Sequence, residues 1–366
     1  MARLLSLLAV LLALPACGDV IVDPPPACTP GVDCPGDPEL INGVNVDRLL
    51  GLVTSTEATA ARAEWPGATP TYQAELRLLR TDPDGTRLYV LSADRPVETH
   101  ALVRVPGPAG ANTPLPVVLV LPRSAAATEA DFLTQAADEP LASRWVQVMP
   151  TYRGGTLRVE GGAGETFSSP QPPSPYLGDV TDALGLLGVA LGRAPRTDPS
   201  RVGAVGFGRG GGVALLAAMR TGSPLRAVGT LAAPSDLFVE TTAIRDALRG
   251  DPLRTALPGF AAVADTALAP LLTETLGIEG ARARLIARSP RYHVGLLPPT
   301  VALHGRSDGI VVFEHGRRLG GALGQEGGSA FVATEDDHTG LFGNAAARTT
   351  LATHLENTIA GAAPAP

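Results

Sequence analysis

The chain has 366 residues, 45% of them hydrophobic and only 18% charged, with a formal net charge of −7. That length supports one large domain with a sizeable core, and the apolar content excludes a disordered chain. All 29 basic residues are arginines and they lie dispersed, so nucleic acid is not an expected partner. In chain order, Arg3 is followed by "LLSLLAVLLALPA", an apolar run that ends at Ala16. This run is too short to span a bilayer and has the length of a signal-peptide core. From Gly18 to Pro38, six prolines forbid a regular helix and favour an extended tether. Cys28 and Cys34 lie inside this tether, and in an oxidising compartment they are expected to form a small disulfide loop.

The remainder, 39–366, alternates strand and helix signals. "RLYVLSADR" (87–95) and "THALVRVPG" (99–107) are strand-like and separated by a short turn, which predicts an antiparallel hairpin. Short β-branched runs follow at 115–122, 144–150, 201–206, 226–232, 299–305 and 329–336. Their lack of polar alternation is that of buried parallel strands. Helical patterns lie between and after them, at 177–193, 210–222, 313–325 and 344–361. Strand–helix alternation of this kind predicts a doubly wound, mostly parallel α/β sheet. An Ala/Leu-rich segment at 237–290 interrupts the rhythm and is expected to be a helical cap insertion. The chain shows no internal repeat.

Two resemblances follow from these motifs. "LPAC" at the end of the apolar run resembles the bacterial lipoprotein box, which implies cleavage before Cys17 and lipidation of that cysteine. Gly18 after it implies, by the rule for enteric bacteria, the outer rather than the inner membrane. An ordinary secretory signal is the alternative. From about residue 80 to 360 the landmarks are "PTYRGG", "GDVTDALGLL", "GFGRGGG", "APSDL", "RSP", "LLPPTVALHGRSDGIVVFEHGRRLGGAL" and "DDHTGLF". In this order they resemble the α/β-hydrolase fold, and most closely the prolyl oligopeptidase and dienelactone hydrolase group.

The resemblance assigns roles to residues. Asp308 in "HGRSDG" matches the triad acid and His338 in "DDHTG" the general base. The nucleophile position in "GFGRG" falls on Gly208, which has no side chain to attack a carbonyl. Glycine is tolerated there because the elbow holds its nucleophile at positive φ. No serine or cysteine lies between Ser200 and Ser223, and Ser307 occupies a loop position beside the acid. The oxyanion turn departs too. "PRSAAAT" follows strand 115–122, and Pro122 has no N–H to donate. The backbone N–H of Arg209 and the hydroxyl of Tyr152 are the remaining candidate donors. The Arg209 side chain is expected in a surface ion pair, with carboxylate binding as the sharper alternative.

Gly210–Gly212 are expected to serve close helix–strand packing, since no lysine follows as a phosphate loop requires. The other histidines (His100, His293, His304, His315 and His354) show no metal-ligand spacing, and no cofactor is expected. Three readings remain at this level. One is a lipid-anchored, catalytically impaired hydrolase homologue that binds a ligand or partner. Another is an active peptidase or esterase using a relocated nucleophile or an activated water. In the third, the protein has a structural role in the envelope. Without a nucleophile, the Asp308–His338 pair also reads as a hydrogen-bonded packing element.

Overall fold

A computed structural model of the chain describes residues 38–67, 69–107, 113–129, 141–160 and 164–360. Cys17, Cys28 and Cys34, with the lipidation and the disulfide expected of them, lie outside the described residues. The chain divides after Glu39 into two units, and the unit from Leu40 onward carries all the elements below.

A nine-stranded sheet forms its centre. Its strands are β1 (Gln73–Thr81), β2 (Arg87–Arg95), β3 (Thr99–Val105), β4 (Leu115–Leu121), β5 (Val146–Pro150), β6 (Thr197–Phe207), β7 (Leu225–Leu231), β8 (Thr300–Gly305) and β9 (Ala330–Thr334). The order across the sheet is β9-β8-β7-β6-β4-β5-β3-β2-β1. The six strands from β9 to β5 are parallel, and β3, β2 and β1 join antiparallel at one edge. The expected hairpin is β2–β3, in register with Tyr89 opposite Val103. β4, β5 and β8 are buried almost throughout, as strands covered on both faces must be. β1 is an addition to the expected strands. It alternates arginines and glutamate with leucines and lies largely exposed at the edge, so it lacks the buried-strand signal.

The covering helices are α1 (Leu177–Arg193), α2 (Arg209–Ala218), α3 (Thr241–Arg249), α4 (Phe260–Ala267), α5 (Ile278–Ile286), α6 (Phe313–Leu323), α7 (His338–Gly343) and α8 (Ala345–Leu355). α1 has the bounds read from sequence. α2 stops four residues before Gly222, at the Met219 cap. The insertion between β7 and β8 contains α3, α4 and α5, as expected for a helical segment. Its turn at Pro258–Gly259 reaches the site's flank, where the Pro258 carbonyl accepts a hydrogen bond from Tyr176 Oη at 3.2 Å. Arg282 on α5 ties the insertion to the N-terminal helices. It donates to the carbonyls of Arg48, Leu49, Gly51 and Leu52 and to the Glu57 carboxylate.

The strand order reverses between β4, whose successor β5 lies on one side, and β6, whose successors lie on the other. In an open α/β sheet, the crevice outside the carboxyl ends of such neighbouring strands is where ligands bind. Leu121 of β4 is in register with Gly206 of β6, so the turns that follow both strands meet there.

Candidate active site

The turn from β6 into α2 is built on glycines. A Cβ on Gly206 would stand 2.2 Å from the Gly210 carbonyl oxygen, and one on Gly210 would stand 2.1 Å from that of Leu121. A Cβ on Gly211 would press on Ala233 at 2.7 Å. Close packing of helix on sheet therefore accounts for Gly206, Gly210 and Gly211. Gly208 is different. Its φ of 52° and ψ of −124° lie where side-chain-bearing residues are strained, yet it has room. A Cβ there would be 3.5 Å from His338 Cε1 and Nε2 and 3.6 Å from Arg123 Cβ, which is ordinary contact.

The structure brings His338 and Asp308 together. His338 opens α7, and its Nδ1 lies 2.8 Å from Asp308 Oδ2. Asp308 Oδ1 accepts the N–H groups of Ile310 and Val311 at 2.8 and 2.9 Å, which fixes the carboxylate in the loop after β8. Burial alone would raise the Asp308 pKa. The His338 hydrogen bond and the two N–H groups reverse that, and the carboxyl sits below its ordinary range. With Nδ1–H donating to Asp308, Nε2 presents its lone pair toward Gly208. The arrangement is an imidazole held by a carboxylate and set against a residue with no side chain.

Phe342 and Arg123 hold this geometry and carry no role in the sequence reading. Phe342 of α7 packs edge-on against Phe207, the residue before Gly208, with centroids 5.0 Å apart. The Arg123 guanidinium lies over the same Phe342 ring, 4.8 Å from its centroid. Arg123 follows Pro122 in the turn after β4, so its position beside residue 208 follows from the pairing of β4 with β6. The Phe342 contact spans more than a hundred residues and leaves no local signal.

No protein-family model matches the chain, and no curated protein matches it in sequence. Solved structures do match in shape. Acetyl xylan esterase 1 from Thermoanaerobacterium sp. superposes with a TM-score of 0.54 at 15% identity, covering 82% of this chain and 92% of that one. The acetyl xylan esterase from Paenibacillus sp. R4 gives 0.53 at 16% identity, over 88% and 96% of the two chains. The acylaminoacyl peptidase of Pyrococcus horikoshii gives 0.52 at 13% identity, over 81% of this chain and 43% of that longer one. The fold is that of the α/β-hydrolases.

Within this hydrolase fold, two expectations are corrected. Tyr152 is fully buried, and its hydroxyl donates to the Pro122 carbonyl at 2.9 Å. Burial also pushes its pKa well above the ordinary phenol value. Its hydroxyl is a brace for the turn after β4, not a donor to an incoming oxyanion. Arg209 is not a surface residue. Its guanidinium is buried in a two-pronged pair with Asp179 on α1, with Nε at 2.9 Å and Nη2 at 2.7 Å from Oδ2. It also lies 4.8 Å over the Tyr152 ring. Burial would lower its pKa, but the Asp179 carboxylate more than offsets this, and Arg209 stays charged. The pair leaves no fork for a ligand carboxylate. The Arg209 backbone N–H, first in α2, has no acceptor within its own helix.

No hydrogen bond joins either alternative serine to His338 among the described residues. Ser200 lies in the first half of β6, roughly 26 Å of extended strand before Gly208, and its hydroxyl bonds Asp198 at 2.6 Å. Ser307 is exposed in the loop after β8.

Proposed function

We propose that this protein is a lipid-anchored component of the bacterial cell envelope whose hydrolase fold binds a ligand or partner without acyl transfer. One observation carries this reading: Gly208 holds the strained elbow backbone, with His338 Nε2 3.5 Å from the position of its absent Cβ. Acyl transfer needs an attacking atom at that point, and the remaining groups do not supply one. A ligand group reaching Gly208 would meet His338 and Arg123. The similar folds carry the names of esterases and a peptidase, which favours compounds bearing an ester or amide carbonyl. Attachment through Cys17 and the proline-rich tether would hold this body near a membrane, with the outer membrane favoured by Gly18.

The test is recovery of bound small molecules or partner proteins from the purified full chain. Enrichment that falls in a folded His338→Ala variant supports the reading. Equal recovery from both proteins, or none from either, favours a structural role in the envelope. A second reading rests on the same lone pair, because His338 is placed to activate a water beside Gly208. Loss of a triad nucleophile costs about a million-fold in kcat and leaves roughly a thousand-fold over water. That reading therefore allows only weak, His338-dependent hydrolysis.

A further inference from the structure

The C-terminal end of α2, about 15 Å of helix away from the elbow, borders a second cleft. It measures ≈ 530 Å³ and is lined by Arg62, Trp65, Thr69, Arg220, Thr221 and Leu296 among others, with no acidic side chain in its wall. Neither arginine of the wall pairs with a carboxylate among the described residues. Nε of Arg62 and Nη1 of Arg220 are buried without a hydrogen-bond partner. The Arg220 guanidinium lies 5.4 Å over the Trp65 ring and gives one hydrogen bond to the Pro66 carbonyl. Trp65 is itself fixed, with its indole N–H on the Ala287 carbonyl at 2.8 Å and its edge against His293 at 4.9 Å.

The surroundings add positive charge to this wall. Arg288, nine-tenths buried nearby, also has an unpartnered Nε, and burial lowers its pKa to about 10. His293 adds no charge, because burial lowers its pKa to about 4, but its Nδ1 is a further buried polar atom without a partner. Glu64 faces Arg284 at 3.6 Å and acts on Arg288 only through its charge, without a hydrogen bond. Burial also lowers the Arg220 pKa, with no counter-charge acting against it. A desolvated guanidinium without an anion is costly, and native proteins leave few such donors unpaired. Other buried arginines of this protein are paired: Arg209 with Asp179, and Arg282 with Glu57.

We infer that the Arg62–Trp65–Arg220 cleft is a binding site for a small ligand carrying an oxyanion group, carboxylate or phosphate. The volume lies within the range of small-molecule sites. Guanidinium forks match either oxyanion, and the indole offers a flat wall to the group beside it. The body of the ligand has somewhere to lie. A hollow of ≈ 430 Å³ adjoins the cleft, sharing Thr69 and Thr221 and continuing along Thr71, Leu184, Val189 and Pro224. Its mixture of hydroxyls and apolar groups suits an uncharged portion. This site is independent of the Gly208–His338 site.

Trp65 reports on it directly, because the other tryptophan, Trp145, is fully buried with its N–H on Glu356. The full chain is titrated with inorganic phosphate and, separately, with malonate, while sodium chloride holds ionic strength constant. A saturable change in Trp65 fluorescence is expected from one probe more than the other, and which one identifies the oxyanion. Trp65→Phe should abolish the signal. Arg62→Gln and Arg220→Gln should each weaken binding by about tenfold or more, the usual loss of a hydrogen bond to a charged group. His338→Ala should leave it unchanged. The inference is overturned if neither probe acts beyond chloride. It is equally overturned if a folded double variant lacking both arginines binds like the parent, or if His338→Ala abolishes the response.

Discussion

Restoring a serine at residue 208 tests the geometry of the elbow. In Gly208→Ser the nearest atoms to the new Cβ belong to His338 and Arg123, at 3.5 and 3.6 Å, which is ordinary contact, so sterics do not oppose it. The penalty is conformational. A side chain at φ 52°, ψ −124° should cost about 1–3 kcal/mol. For a domain of this size that lowers Tm by several degrees, at roughly 2–4 °C per kcal/mol. The hydroxyl, one bond beyond the Cβ, comes within reach of His338 Nε2, whose Nδ1–H is held by Asp308. Reactivity should appear but remain small. Arg209 offers one backbone donor, Tyr152 is committed to Pro122, and loss of a single oxyanion donor costs on the order of 10²–10³ in kcat. The assay is labelling with a serine-directed fluorophosphonate, followed by peptide mapping. Label on the introduced hydroxyl that disappears in the Gly208→Ser/His338→Ala double variant is the expected result. A folded Gly208→Ser protein without label would show that His338 does not face residue 208, and labelling that survives loss of His338 would refute its role as the base.

Other expectations follow from the same contacts. Asp179→Asn leaves the buried Arg209 charge without its carboxylate and should destabilise by about 3–5 kcal/mol, read as a lower urea midpoint at unchanged slope. An unchanged midpoint would contradict the buried pair. Burial depresses the His293 pKa to about 4 and also lowers those of His304 and His354. The unfolded chain, whose imidazoles protonate near 6.5, then binds protons first as pH falls. Stability should therefore be full above about 6.5 and be lost toward 4, by up to about 1.4 kcal/mol per unit for His293. Urea titrations between pH 7.5 and 4.5 measure this, and His293→Gln should flatten the profile. Cys17→Ala should leave unprocessed or soluble protein in a detergent partition, and partitioning like the parent would refute the lipid anchor.

The strands and α1 were legible because their burial writes itself into composition: "LPVVLVL" and "TVALHG" have no polar face to alternate. The antiparallel edge strand β1 was not, since "QAELRLLRT" divides its residues between solvent and sheet and resembles a short helix as much as a strand. Asp308, His338 and Gly208 were legible through a resemblance that orders motifs along the chain. The company they keep was not. Arg209 meets Asp179 across 30 residues and Phe207 meets Phe342 across 135, pairings that only the folded sheet creates. Tyr152 was misjudged for the same reason: a tyrosine near a site reads as a donor until its acceptor is seen. Arg62 and Arg220 carried no motif, and their interest lies in two unpartnered guanidinium nitrogens on one cleft wall, where Arg209 and Arg282 have carboxylates.

On the function proposed, the wild-type site binds without acyl transfer, because residue 208 offers His338 nothing to deprotonate. The most direct test is ester hydrolysis by the unmutated full chain, with fluorophosphonate labelling in parallel and His338→Ala and Asp308→Asn as controls. The account predicts no labelled serine and turnover that does not exceed that of the His338→Ala protein. A mapped serine adduct, or sustained turnover lost with His338 and Asp308, would contradict it.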